Sequence, residues 1–443
     1  MTITPRARLL GAVAVLTLIS VTLPALPWLA PALVASAFVL LVLVSWDALL
    51  LRRAPGVSLV RRLPERAFVG REAAIALELR NPGAAAACAD VFEELPRSLV
   101  PEDPVLRSVA IAPGGSVSHR FVVSPRERGE ALLGAAVVLE RSPLGFLSRR
   151  SAHGAGDRLR VFPDTQRYLR PEALDPHRVL ASLGVRPTRR RGEGMDFESL
   201  REWVPGDDPR RLDWAASARR GRPVVRLHQH ERSHTLLLAL DASRLMAARA
   251  GDRSKLDFAV DAALALAWAA LATGDRVGLV VFDAAVRAQL APRGRRGDLG
   301  DFVEALRSVQ PRLVEAEPDT LVRHLTVHRQ QRSLVVLLTD FVEAAAARLV
   351  PPLVVLARRH QVLLVALRDH AYDVLDPRSG AADDATRPHA LERHLVLDDL
   401  LREREAALAT LRRAGLHTLD LVPEAVTPAV LNRYLALRAT GGG

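Results

Sequence analysis

The chain has one cysteine, Cys88, and one lysine, Lys255, in 443 residues. A lone thiol excludes an intramolecular disulfide and fits a reducing compartment. Cys88 lies in an alanine-rich stretch, where a small buried apolar residue is expected. Apart from Lys255, the Lys plus Arg total of 61 is all arginine, against 50 Asp plus Glu, for a formal charge of +11. A bias that uniform, beside abundant Ala and Leu, reads as nucleotide composition rather than a selected basic patch. Acidic residues are interspersed throughout, so nucleic-acid binding is not expected, and attraction to an anionic membrane surface is the expected consequence. There is no internal repeat, and no Ser/His/Asp or Cys/His set has a convincing context. His228 and His230 share one face of an expected strand but have no third ligand nearby, which argues against zinc.

Hydrophobic residues, 49% of the chain, are in excess at the N-terminus. Leu9 to Leu26 is uncharged and long enough to cross a bilayer. After a break at Pro24, Pro27 and Pro31, a second uncharged run extends from Trp28 to Trp46, followed by Asp47 and Leu49–Leu51. Arg6 and Arg8 precede the pair, Arg52 and Arg53 close it, and the short connection carries no basic residue. That distribution predicts a transmembrane helical hairpin over residues 1–53 with both ends cytoplasmic. Asp47 falls at the expected interface, where snorkelling makes a charge cheap. A cleaved signal peptide is the rival reading of the first run, and it would still leave residues 54 onward inside.

Residues 54–163 carry β signals. Ile75, Leu77 and Leu79 alternate with Ala and Glu, and Asn81-Pro82-Gly83, Pro113-Gly114-Gly115 and Ser142-Pro143-Leu144-Gly145 punctuate short runs. This spacing predicts a small β-sandwich. From Thr235 the pattern changes. Leu236–Leu240, Val277–Phe282, Leu334–Leu338 and Val362–Ala366 read as buried strands, with helical stretches near Leu256–Thr273, Leu299–Val309, Glu343–His360 and Leu397–Ala414 between them. Such alternation predicts an α/β doubly wound, mostly parallel sheet over 232–438, with Val286–Leu290 as one antiparallel edge strand. Residues 439–443 read as a disordered tail.

Ligands of open α/β sheets gather beyond the carboxyl ends of the strands. There Asp241 and Ser243 stand two residues apart after the first strand. Thr339-Asp340 ends another strand, and Thr320 offers a loop hydroxyl before a helix. Oxygen ligands of this kind suit Mg²⁺. Asp-x-Ser, a loop Thr and a strand-terminal Asp resemble the metal-ion-dependent adhesion site of von Willebrand factor type A domains, over Glu231 to Arg438. The resemblance implies that Asp241, Ser243 and Thr320 ligate the metal directly and Asp340 partly through water. The family's second serine is Leu245 here, which cannot coordinate. The bland alternative is that Asp241 simply caps the next element.

The stretch 164–231 is dense in mixed charge. It contains Gly192-Glu-Gly194, Asp196-Phe197-Glu198 and Trp203-Val-Pro-Gly206-Asp207-Asp208-Pro209-Arg210-Arg211-Leu212-Asp213-Trp214. This motif resembles the signature of the domain-of-unknown-function-58 family, whose layout is similar along nearly the whole chain. The resemblance implies two membrane helices, a β-sandwich, the motif and a type A domain, and a MoxR-type AAA+ ATPase as partner. It implies no established reaction. Asp207, Asp208 and Asp213 beside Arg210 and Arg211 would suit a metal-dependent hydrolase or a phosphate site. Mutual pairing of acids and guanidiniums, with Trp203 and Trp214 as apolar wedges, describes a clamp or docking surface more economically.

The expectation is therefore a multidomain inner (plasma) membrane protein, multi-pass, with its soluble domains in the cytoplasm. It would act as a non-enzymatic adaptor holding a protein partner through the type A-like domain, with Mg²⁺ as the implied cation. A metal-dependent hydrolase and a metal-free structural envelope protein are the alternatives.

Overall fold

A computed structural model describes residues 2–21, 28, 30–102, 105–164, 199–204, 212, 214–227, 234–328, 331–341, 343–369 and 390–440. By its contacts the chain divides into two compact units. One comprises residues 1–166 with 251–253 and 303–310, and the other comprises the remainder.

The first unit begins with a strand, β1 (Thr2–Pro5), ahead of helices α1 (Ala7–Val21) and α2 (Ala30–Arg53). Eleven strands follow: β2 (Ser58–Arg62), β3 (Ala67–Phe68), β4 (Ala73–Arg80), β5 (Ala87–Glu93), β6 (Leu99–Pro101), β7 (Val105–Ile111), β8 (Ser116–Pro125), β9 (Gly129–Leu132), β10 (Ala136–Arg141), β11 (Leu147–His153) and β12 (Arg158–Phe162). They form sheets ordered β1-β11-β10-β5-β7, β2-β4-β8-β6 and β3-β12-β9. In β4, Ala73, Ile75, Leu77 and Leu79 are buried while their neighbours are more exposed, the period of two that one apolar face requires. These residues meet Val91, Ile111, Val123, Val138 and Leu159 in one core. Cys88, on β5, is half-buried rather than buried.

Among the described residues, α2 is the one helix long and apolar enough to cross a membrane, at 24 residues or about 36 Å. α1 is apolar but has 15 residues, about 22 Å, short of the ~30 Å of a hydrocarbon core. The Pro24–Pro27 break lies outside the described residues. Both helices present apolar side chains to their surroundings, Leu18, Val34 and Phe38 each more than 60% exposed.

Asp47 corrects the expectation of a snorkelling interfacial charge. It is fully buried, and its carboxylate accepts hydrogen bonds from Ser142 Oγ, Leu144 N and Phe146 N in the turn between β10 and β11. A charged group satisfied by several donors has no need to reach for water. Nearby, Arg149 donates to the carbonyls of Leu51 and Ala54 at the end of α2 and pairs with buried Glu140 at 2.7 Å. β1, not anticipated in the sequence, pairs antiparallel with β11, Thr2 opposite Arg150 and Pro5 opposite Leu147.

The second unit opens with β13 (Ser199–Glu202), α3 (Trp214–Arg220) and β14 (Val224–Leu227), the two strands pairing antiparallel. β15 (Thr235–Asp241) leads through a short ladder of β16 (Arg249–Ala250) and β17 (Arg253–Ser254) into α4 (Lys255–Ala272). Then come β18 (Arg276–Phe282), β19 (Val286–Arg293), α5 (Leu299–Arg307, whose residues from Val303 belong to the first unit), α6 (Pro318–His328), β20 (Leu334–Thr339), α7 (Glu343–Ala357), β21 (Gln361–Leu367), α8 (Ala390–Arg413), β22 (His417–Leu421) and α9 (Val426–Thr440). Six strands form one sheet, β19-β18-β15-β20-β21-β22, parallel except for the antiparallel β18–β19 pair. On one face Leu237, Val335, Leu337 and Leu364 pack with Leu321, Leu353 and Leu411 from α6, α7 and α8. α4 and α9 pack together, and α4 lies against β15 and β18. α9 runs through Thr440, so residues 439–440 are helical rather than tail.

Candidate functional site

Five neighbouring strands of the second unit each carry an aspartate at or just beyond the carboxyl end. In sheet order these are Asp283 (β18), Asp241 (β15), Asp340 (β20), Asp369 (β21) and Asp420 (β22). Parallel strands in register bring the ends of apolar runs to one rim, where ligands of open sheets gather. Sequence reasoning found Asp241 and Asp340 and passed over the other three. The signal available for Asp283 and Asp369 was the one used for Asp340, an aspartate closely following an apolar run.

The cations of this rim are distributed unevenly. Lys255, the first residue of α4, places Nζ 2.6 Å from Asp340 Oδ2 and 2.8 Å from Asp369 Oδ1. Arg404 on α8 makes a bidentate pair with Asp420 at 2.7 and 3.1 Å, lies 3.9 Å from Asp340 Oδ1 and donates to Phe341 O. Arg287 lies 3.5 Å from Asp283. Asp241 alone has no cationic partner among the described residues. Its Oδ1 accepts from Ser243 N at 2.8 Å and its Oδ2 from Thr339 Oγ1 at 2.6 Å. Burial pushes the Asp241 carboxyl above the ordinary carboxylate range, the nearby charge of Asp340 adds to this, and hydrogen bonding from Thr339 and from the side chain and backbone of Ser243 opposes it. Asp340 is also raised by burial, against the pull of Lys255 and Arg404.

Asp241, Thr339 and Asp340 line a cavity of about 250 Å³ together with Leu245, Glu315 and Arg348. Ser243 is 1% exposed, and its Oγ is buried beside the Asp241 carboxylate without a well-formed hydrogen bond. Thr320 corrects the expectation of a loop hydroxyl: it lies in the first turn of α6, donates to Ala284 O at 3.5 Å and accepts from Arg323 at 3.2 Å. The orphaned Ser243 hydroxyl invites a cation, but the other residues as placed do not make a divalent-ion site. Asp340 Oδ2 is held by Lys255, Thr320 Oγ1 is engaged elsewhere, and Leu245 presents carbon. Among the described residues no three His, Cys, Asp or Glu side chains converge as a metal cluster.

Of the charged motif, Asp207, Asp208, Arg210, Arg211 and Asp213 lie outside the described residues, as do His228 and His230. Trp214 is described, and it corrects the expectation of a buried wedge. It opens α3 with 74% of its surface exposed, at the edge of a shallow pocket that it lines with Trp203 and Leu212. Trp203 is half-buried, anchored by Trp203 N to Pro223 O at 2.8 Å.

Residues 199–412 match the family described as "Protein of unknown function DUF58". The DUF58 match thus starts at β13 and runs to the end of α8, taking in Asp241, Lys255, Asp340 and Arg404. Uncharacterized proteins of Mycobacterium tuberculosis and Mycobacterium bovis are each 27% identical to the chain over 295 residues, 58% of this chain and 83% of theirs. Among solved structures, a conserved hypothetical protein BatB from Bacteroides thetaiotaomicron is 14% identical, with TM-score 0.31 over 47% of this chain and 99% of that one. Native alpha-2-macroglobulin from Escherichia coli is 17% identical, with TM-score 0.21 over 25% of this chain and 17% of that one. Likenesses this distant carry no argument about fold or function.

Proposed function

We propose that the chain is a non-enzymatic adaptor anchored in the inner (plasma) membrane, multi-pass, with its soluble units in the cytoplasm. It holds a protein partner at the aspartate rim of a von Willebrand factor type A-like domain. Asp241 carries this reading: a buried carboxylate with no cation of its own, beside an orphaned hydroxyl, at the mouth of a cavity. A buried carboxylate that has hydrogen bonds but no counter-ion, set in a cavity, is a candidate ligand-binding group. The sheet, parallel except at β19, supports the type A-like reading. The exposed apolar surface of α1 and α2 supports a membrane hairpin, and β1 supports a common side for the N-terminus and the sandwich. The family resemblance points to a MoxR-type AAA+ ATPase as the partner.

The test is affinity capture of the tagged full chain from detergent-solubilised membranes, comparing wild type with Asp241→Asn. A co-purifying ATPase lost in the variant is expected. Equal recovery by both would sink the role given to Asp241. A second reading, which the Lys255–Asp340 pair disfavours, has Mg²⁺ held at Asp241 and Ser243, and it predicts that a chelator abolishes capture.

A further inference from the structure

Lys255 is the one lysine in a chain whose other basic residues are all arginine. Whatever biases the chain toward arginine has spared an ammonium at this position alone. Its place in the fold is unfavourable on local grounds. It opens α4 directly after the N-cap Ser254, at the helix end where unpaired N–H groups and the macrodipole disfavour positive charge. Its side chain is also 0% exposed, and an ammonium taken out of water is costly unless it is paired and hydrogen-bonded. Neither helix stability nor solubility accounts for it.

Its contacts do. Nζ reaches Asp340 and Asp369, on the ends of adjacent strands, at 2.6 and 2.8 Å. An ammonium is a compact point charge with three donors, able to sit between carboxylates that arrive from different strands. A guanidinium is a planar fork whose best geometry is bidentate on one carboxylate, as Arg404 is on Asp420. The same rim places Leu245 against the cavity, where a coordination sphere would need oxygen.

We infer that Lys255 is the resident cation of this rim. Its ammonium supplies, between Asp340 and Asp369, the positive charge that a divalent ion would otherwise bring, so the site is held in shape without metal. Leu245 is then unexceptional, because no ion needs a ligand from it. This inference concerns what organises the rim and stands whether or not the rim captures a partner.

The experiment uses the full chain purified in detergent, with Mn²⁺ as the probe, read by calorimetry and by thermal unfolding with and without chelator. Wild type is expected to give no binding heat and the same melting temperature in both conditions. Lys255→Met, which takes the ammonium away from buried Asp340 and half-exposed Asp369, is expected to melt lower. Millimolar Mn²⁺ should restore it by mass action, and Lys255→Met with Leu245→Ser should bind about tenfold tighter still. Adding Asp340→Asn to Lys255→Met should recover stability without metal and abolish the response. Mn²⁺ binding by wild type that is lost on Asp241→Asn would overturn the proposal, as would a folded Lys255→Met chain indifferent to Mn²⁺. If Lys255→Met does not fold, the variant also carrying Asp340→Asn decides: recovery of folding supports the charge role, and failure overturns it.

Discussion

Ser142 Oγ donates to Asp47 Oδ2 at 2.5 Å across 95 residues of sequence, joining the membrane-type helix α2 to the turn between β10 and β11. Leu144 N at 2.9 Å and Phe146 N at 3.2 Å complete the cradle around the carboxylate. Gly145, with φ +78°, lets the turn aim these donors inward, a conformation that a residue with a Cβ resists. The helix therefore continues into the sandwich as a docked element rather than ending on a loose linker.

Asp47→Ala strands the N–H groups of Leu144 and Phe146 and leaves Ser142 Oγ with Leu147 O as its acceptor. We expect a loss of roughly 2–4 kcal/mol in stability, against about 1 kcal/mol for Ser142→Ala. Thermal unfolding of the detergent-purified chain measures both. Equal effects would show that the backbone donors contribute nothing.

Arg149→Met removes the cap on the last carbonyls of α2 and leaves Glu140 buried and unpaired. Breaking a buried pair from one side costs about 3–5 kcal/mol, and adding Glu140→Gln should return part of it. A double-mutant cycle on melting temperature tests the coupling. Strict additivity would mean that Arg149 acts only through the helix carbonyls.

Asp241→Asn is expected to stabilise the fold while abolishing partner capture. The folded carboxyl titrates above its ordinary value, so its contribution is fully present below the unfolded pKa and is lost as pH rises through the folded one. At neutral pH the charged form is thus a liability that the amide removes, with Thr339 Oγ1 free to turn and accept. Melting curves at several pH values above 4 should show the advantage of the variant growing with pH. A variant less stable than wild type at pH 7 contradicts the assignment.

Trp214→Ser should change stability by less than about 0.5 kcal/mol, since most of the side chain is exposed. Reduced partner capture with unchanged unfolding would assign the ring to docking. Large destabilisation would place it against a part of the motif outside the described residues.

A reporter enzyme active only outside the inner membrane, fused after Gly443, should stay silent. A tag ahead of Thr2 should be reached by protease only after the cells are permeabilised, because β1 is a strand of the same sheet as β10 and β11. A strong signal from the reporter would reverse the orientation and remove the ATPase from consideration as a partner.

Periodicity alone determined the coarse architecture. Runs such as Leu236–Leu240 and Val277–Phe282 are apolar without alternation because both faces of a covered parallel sheet are buried, whereas β4 alternates because the sandwich buries one face. β22, whose residues are all half-buried, carried too weak an apolar signal to be read as a strand. β1 was masked by the long apolar run that follows it. Chain order also located Asp241 and Asp340, since a buried strand has to end at a rim. Only the tertiary structure decided how those carboxylates are balanced. Lys255 precedes Asp340 by 85 residues, and Asp47 precedes Ser142 by 95. Whether a charge is paired, orphaned or solvated depends on which distant side chain arrives within about 3 Å, and no local pattern encodes that distance.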